Sequence, residues 1–404
     1  MWFQLAARNL TRNARRTLLS MTIVALGVIA LYFITGFIDA TRVEWKQFIV
    51  DQQTGNIQIA APAFWDQEFD DYDYLVAPET VERVVAMLAE YDEVTAHTTQ
   101  LMMMGMASNG RKTQMMEGVA WTPGNAALDY NDLVVEGDEL QPDDRSRVLI
   151  GRTFADVLNL APGDRFRVTT TTAAGAYNLG TLQVAGVYSL NDADQESKVV
   201  FMTLPAAQSL LDTAGVAKIV VTLANLDATE RVASAIEADL DDAGLGLEGR
   251  TWLEIADYFR QVLDMLGFMG GFIALAVGVL VFFIVLQVLV MAFLERTREV
   301  GTIRAIGTRR RQVFGLFLIE GTVLGLLGGL LGVGAGWALG QGFNALDIQW
   351  TPPGFLDPTP VDLRLTLANA GVPFVVATVA TIVSTAFPAS RMTRLTIVDA
   401  LRTS

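Results

Sequence analysis

Four stretches of this 404-residue chain, at 18–38, 263–294, 312–342 and 363–387, are apolar almost throughout. About 20 helical residues cross a hydrocarbon core, so each is long enough to span a membrane. The second, with helical periodicity beginning at Leu253, exceeds that need, and so does the first, whose periodicity runs on through 39–53. The excess predicts a two-helix stalk outside the membrane. Between these two runs the pattern changes. Period-two alternation predicts strands at 56–60, 94–107, 112–119, 147–150, 166–172, 181–188, 198–203 and 218–223. Helical spacing predicts helices at 79–91, 206–211 and 229–241 and a helical turn at 153–158. The fold class that follows is an α-helical membrane protein with four transmembrane helices plus an α+β extracytoplasmic domain inserted between the first and second.

Charge gives this arrangement a direction. Residues 39–262 hold 36 acids and 15 bases, whereas the rest of the chain holds 8 acids and 14 bases. Those outer bases cluster at Arg8, Arg12, Arg15 and Arg16, at six arginines within 296–311, and at Arg391, Arg394 and Arg402, with Arg364 alone elsewhere. Basic segments stay in the cytoplasm. The expected order is a cytoplasmic amphipathic lead-in (1–17), the first crossing (18–38), a periplasmic α+β domain with stalk helices (39–262), and the second crossing (263–294). A cytoplasmic coupling segment (295–311), the third crossing (312–342), a periplasmic loop (343–362), the fourth crossing (363–387) and a cytoplasmic tail (388–404) follow. Both termini are then cytoplasmic. The first run is too long for a typical signal-peptide core and no small-x-small site follows it, which predicts an uncleaved anchor. A soluble cytoplasmic enzyme is excluded.

The candidate chemistry is sparse. There is no cysteine, and His97 is the single histidine, too few for a zinc site or a catalytic triad. Acidic residues crowd 64–74 and recur as Asp192, Asp194 and Glu196. Neither spacing matches a known calcium loop, and solvated loops are expected. Met102–Met104, Met106, Met115 and Met116 offer either core filling or an adaptable apolar surface. Inside the membrane runs Gln287 and Glu320 stand out, and Glu320 is expected to pair with nearby arginines. Gly321, Gly325 and Gly329 form one row of small residues four apart, and Gly328, Gly332, Gly336 and Gly340 another. Such rows let helices approach closely, within a chain or between subunits. Within 295–311, Val300, Ile303 and Ile306 recur at helical spacing with Gly301 and Gly307 expected at bends. That describes a short surface helix with an apolar and a cationic side.

The run Glu295-Arg-Thr-Arg-Glu-Val-Gly-Thr-Ile-Arg-Ala-Ile-Gly307, followed by Phe317-Leu-Ile-Glu-Gly-Thr-Val-Leu-Gly-Leu-Leu-Gly-Gly329, resembles the signature of the FtsX-like ABC transporter permeases. Arg8-Asn-Leu-Thr-Arg-Asn-Ala-Arg-Arg-Thr-Leu-Leu19, Pro388-Ala-Ser-Arg391 and Asp399-Ala-Leu-Arg402 are similar to the family's ends, although the family's usual proline near Val398 is missing. Gly36-Phe-Ile-Asp39 and Thr54-Gly-Asn-Ile-Gln-Ile59 look most like its lipoprotein-releasing branch. The resemblance implies an ABC permease in the bacterial inner membrane, with Glu295, Arg296, Arg298, Glu299, Gly301, Arg304 and Gly307 coupling it to an ATPase. It implies a separate ATPase subunit that carries ATP and magnesium, a second identical or sister permease, and a periplasmic lipoprotein carrier. No G-x-x-x-x-G-K-[ST] phosphate loop occurs in these 404 residues, so the chain is expected to be non-catalytic and to hold no cofactor of its own. No nucleic-acid partner is expected. The expected function is extraction of lipoproteins or other lipophilic substrates from the outer leaflet. The competing expectations are an ATP-driven signal transducer that regulates an envelope enzyme and a stand-alone channel, the latter disfavoured by the lack of intramembrane charge.

Overall fold

The structure, a computed structural model, describes residues 14–65, 72–124, 127–190, 192–295, 297–305, 307–351 and 356–394. The lead-in through residue 13, most of the acidic stretch at 64–74, Arg296, Ile306 and the tail after residue 394 lie outside the described residues. The elements begin with helix α1 (Ala14–Ile49), β1 (Ile57–Ala60), α2 (Pro78–Leu88), β2 (Val94–Ser108), β3 (Thr113–Trp121), β4 (Val134–Gly137), β5 (Arg147–Gly151) and α3 (Arg152–Leu158). Then come β6 (Arg165–Thr171), β7 (Tyr177–Tyr188), β8 (Val199–Thr203), α4 (Leu204–Leu211), β9 (Lys218–Leu223), α5 (Thr229–Asp242) and β10 (Glu248–Thr251). Helices α6 (Asp257–Glu295), α7 (Thr297–Ala305), α8 (Arg310–Asn344) and α9 (Gly371–Arg394) complete the chain. Two compact units result. One contains Met1–Val43, Gln261–Trp350 and Pro360–Ser404, and the other Glu44–Arg260 with Thr351–Thr359.

The first unit is helical. Four of its helices are long and apolar enough to cross a membrane, over Thr17–Lys46, Arg260–Met291, Arg310–Asn344 and Leu367–Arg391. Large apolar side chains face outward: Phe268, Phe272 and Phe283 of α6, Leu330 and Trp337 of α8, Val375 and Val379 of α9. Hydroxyls lie inside. Thr381, Ser384 and Thr385 are fully buried, and each donates to a carbonyl of its own helix at 2.7–2.8 Å. Apolar outside and small or self-satisfied inside is the arrangement that hydrocarbon selects. The fourth helix starts at Gly371, later than the apolar run at 363–387 suggests. The Asn344 side chain takes both the N–H and the C=O of Leu363, and the Asn369 side chain takes the Thr366 N–H. These amides bond the preceding backbone outside any helix.

The second unit is β-rich and has two halves joined by one strand. β2 pairs with β3, β3 with β8, β8 with β5, β5 with β7, β7 with β6, and β6 returns to β2, which closes a circuit. Leu101, Met103, Met116, Ile150, Phe166, Val168, Leu182 and Met202 fill its interior as one cluster. The other half adds β9, β1 and β10 to the far end of β2. Its residues Ile57, Ile59, Ile219 and Val221 pack against Val84 and Leu88 of α2 and Val232, Ile236 and Leu240 of α5. The methionine run is divided by the pleat, because alternate side chains on a strand face opposite sides. Met103 and Met116 are core, whereas Met106 and Met115 sit directly opposite each other and are nearly half exposed. Core filling therefore describes Met103 and Met116, while Met106 and Met115 leave apolar side chains at the surface.

Candidate coupling segment

α6 ends at Glu295 and α7 begins at Thr297. Thr297, Val300 and Gly301 are buried, so one side of α7 faces inward. Val300 joins a single cluster with Val24 of α1, Val285 and Leu289 of α6, Val313 and Phe317 of α8, and Ala389 of α9. All four long helices therefore contribute to the cluster that Val300 joins. Arg304 lies in the last turn of α7, where a cation complements the negative end of the helix dipole. Gly307 then reverses the chain. Its N–H donates to the Arg304 carbonyl at 3.0 Å, with φ at +106°, a conformation that L side chains rarely adopt. α8 restarts at once, with Gln312 reaching back to accept from the Arg309 N–H at 2.9 Å. Arg309, Arg310 and Arg311 are exposed.

Gly307 is thus at a bend as expected, but Gly301 is not. It lies within α7 and is buried. Arg304 is half-buried. The backbones of Glu295, Arg298 and Glu299 lie in α6 and α7, while their side chains and the whole of Arg296 lie outside the described residues.

The glycine rows of α8 face two helices of the same chain. A Cβ on Gly321 or Gly325 would meet Thr385 or Thr378, and one on Gly329 would meet the Phe374 ring, all on α9. A Cβ on Gly328, Gly332 or Gly336 would meet Val24, Val28 or Tyr32 of α1. The two rows, offset around the helix, are what let α8 sit between these neighbours.

The acidic cluster of the β-rich unit separates into three tasks. The Asp192 carboxylate caps a helical turn by accepting from the N–H groups of Asp194 and Gln195, and Asp194 pairs with Lys198 at 2.8 Å. Glu196 is completely buried and accepts from the Ser189 hydroxyl and the Leu190 N–H. Among the described residues no group of three histidine, cysteine or acidic side chains is placed to hold a metal ion. Beside Glu196, Arg152 donates to Asp357 at 2.6 Å, which ties the stretch Thr351–Thr359 into this unit. That stretch was expected to be part of a plain connecting loop.

Two family descriptions match the chain. The MacB-like periplasmic core domain covers residues 17–239, more than half of the sequence, and the FtsX-like permease C-terminal region covers 271–397. The chain belongs to the MacB-type FtsX-like permeases. Such permeases are ABC transporter subunits that work with ATPase partners. The permease is 29% identical over 150 residues to the macrolide export ATP-binding/permease protein MacB of Haemophilus ducreyi, which covers 37% of this chain and 20% of that protein. It is 32% identical over 145 residues to MacB of Bdellovibrio bacteriovorus, covering 35% and 20%. The probable syringafactin export ATP-binding/permease protein SyfD of Pseudomonas syringae pv. tomato is 29% identical over 117 residues, covering 29% and 16%. The matched part of the permease spans about a fifth of these relatives' length. Among solved structures, the periplasmic region of MacB from Actinobacillus actinomycetemcomitans is similar with a TM-score of 0.37 and 14% identity, over 54% of this chain and 95% of that one. The four apolar helices and the family together make the permease a membrane protein.

Proposed function

We propose that this permease is the membrane subunit of an exporter in the bacterial inner membrane, with both termini cytoplasmic and its β-rich domain inserted, outside, between the first and second crossings. A second permease chain, identical or sister, completes the membrane part, and a separate ATPase supplies ATP and magnesium. The segment around α7 is the coupling element. ATP-driven closure of the ATPases displaces it, tilts the crossings and changes the hold of the outer domain on substrate. The observation that carries this reading is the position of Val300 in one apolar cluster with all four long helices, while Arg309–Arg311 remain exposed beside it. The substrates are lipophilic compounds taken from the outer leaflet. Lipoproteins, handed to a periplasmic carrier, are one class of these. Relatives named for macrolide and syringafactin export support the broader class.

Gly301→Trp drives an indole into the buried side of α7, and Arg304→Glu inverts the charge at its end. Each is expected to abolish co-purification of an ATPase or the stimulation of ATP hydrolysis by lipophilic substrate in proteoliposomes. Intact recovery and intact stimulation in both variants would refute the coupling role. An ATPase that co-purifies with an envelope hydrolase, while no lipophilic compound moves, would replace export with signal transduction.

A further inference from the structure

One face of strands β9, β2, β3 and β8 carries a cavity of about 140 Å³. The register of the sheet builds it. Gln100 lies opposite Lys218, Met102 opposite Val119, and Val119 opposite Phe201, so these five side chains emerge on one side of the pleat. Tyr130, stacked on Phe201 at 4.0 Å between ring centroids, closes the wall. Lys218, Gln100 and Tyr130 give the lining polar groups, and Met102, Val119 and Phe201 give it apolar ones.

The polar groups of the lining are rich in donors. Lys218 is only 8% exposed, and its Nζ donates to Gln58 Oε1 at 3.0 Å and stands 5.6 Å from the Phe64 ring. Among the described residues no carboxylate pairs with it. Burial pulls its ammonium down to about 8, which leaves it mostly charged at neutral pH. An ammonium has three N–H donors, and one is committed here. Gln100, 2% exposed, donates to the Tyr130 hydroxyl oxygen at 2.9 Å, so the hydroxyl keeps its own hydrogen for another acceptor. Burial pushes that phenol up to about 12 and keeps it a neutral donor. A buried cation with no carboxylate partner among the described residues is costly, and a cavity lined by such donors offers a place where a counter-charge can enter.

We propose that this cavity binds a small organic acid, its carboxylate on the Lys218 ammonium and the Tyr130 hydroxyl and its compact apolar body against Met102, Val119 and Phe201. The volume admits a body roughly the size of a benzene ring or a branched short chain. The site lies beside the π-helical turn Val50–Thr54 that follows α1. Gln53 of that turn lines the cavity, and Gln58, which holds Lys218, donates to the Thr54 carbonyl at 2.9 Å. The inference needs neither the proposed coupling nor the proposed export.

The test uses the full chain in detergent or nanodiscs, with ¹³C-methyl methionine to follow Met102 and calorimetry for affinity. The probes are benzoate and 4-methylpentanoate, with benzamide and 4-methylpentanamide as uncharged counterparts and dodecanoate as a long-chain acid. The acids are expected to bind saturably and to shift the Met102 methyl signal, with the amides at least about tenfold weaker. Lys218→Met is expected to lower acid affinity by a similar factor, and Val119→Phe to abolish binding by filling the cavity. Affinity is expected to fall from pH 7 to pH 9.5 as Lys218 loses its proton. Dodecanoate binding more tightly than 4-methylpentanoate would assign the ligand to fatty acids of the membrane, and weaker binding would assign it to free short acids. Equal affinity for acid and amide, unchanged affinity in Lys218→Met, or no saturable binding to the folded wild type would each overturn the proposal. If Lys218→Met does not fold, Val119→Phe and the acid–amide comparison decide.

Discussion

Gly332 and Gly334 lie on the same helix, two positions apart, and their surroundings are opposite. A Cβ on Gly332 would come within 2.6 Å of the Val28 Cβ and 2.8 Å of the Ala25 carbonyl, whereas one on Gly334 meets nothing within 4 Å. Neither a β-branched atom nor a backbone oxygen can swing aside. Gly332→Leu is therefore expected to cost about 1–3 kcal/mol of stability through overpacking. Gly334→Leu is expected to melt like the wild type in the same detergent, and equal melting of both variants would count against the packing described. Lys218 makes a prediction of opposite sign. Its folded-state pKa is near 8, against 10.5 for an ordinary lysine. At pH 7 both the folded and the unfolded chain hold the proton, and the folded state bears the whole cost of burying the charge. As pH rises from 8 towards 10.5 the folded lysine is already neutral while the unfolded one is still charged, so that cost fades. Lys218→Met is expected to raise stability by on the order of 1–3 kcal/mol at pH 7, with the gain shrinking by pH 9.5. A gain that is constant with pH would show that burial of charge is not its source. A lysine opening the otherwise apolar strand Lys-Ile-Val-Val-Thr-Leu was visible in the sequence, but nothing there distinguishes a strand-end lysine that snorkels to water from one that is enclosed.

Among the elements, those with strong periodicity were legible and those with weak periodicity were not. The four long helices follow from their apolar runs, and α2, α4, α5, β2, β3 and β9 lie where spacing put them. β4 and β10 went unseen: each has four residues, β4 is mostly exposed and β10 carries Glu248 and Arg250, so neither shows an apolar alternation. The start of the fourth helix was misplaced because the Asn344 and Asn369 side chains bond a leucine-rich stretch that stays outside the helix. Composition cannot report that. The candidate coupling segment was legible as a charged turn, but the burial of Gly301 was not, since a glycine at a bend and a glycine at a packed helix face read alike. Gly307 separates the two cases. Its φ of +106° is open to glycine and strained for other residues. Gly307→Val is expected to cost about 1–3 kcal/mol and to reduce ATPase coupling along with it. Gly315→Ala, at a position with nothing within 4 Å, is expected to leave both unchanged.

For the whole molecule, the charge asymmetry and the apolar runs were enough to separate a membrane part from an acidic β-rich part, and the family agrees with that division. The inclusion of Thr351–Thr359 in the β-rich unit came only with the structure, because a connecting segment gives no sequence sign of where a partner such as Arg152 lies. The structural feature with the widest reach is β2. Its first part, Val94–Gln100, pairs with β9, and its second, Leu101–Ser108, with β3 and, near its end, β6. One strand is therefore a member of both halves, and among the described residues the circuit of the closed half runs through it, with β4 added outside the circuit against β7. Unfolding of the β-rich unit is expected to be a single concerted event, with no step in which one half opens while the other keeps its protection. Hydrogen exchange would record this as backbone amides from Thr98 to Ala107 closing the slowest class together. Two exchange classes divided at Leu101 would show instead that the halves are separate folding units joined by a shared ribbon.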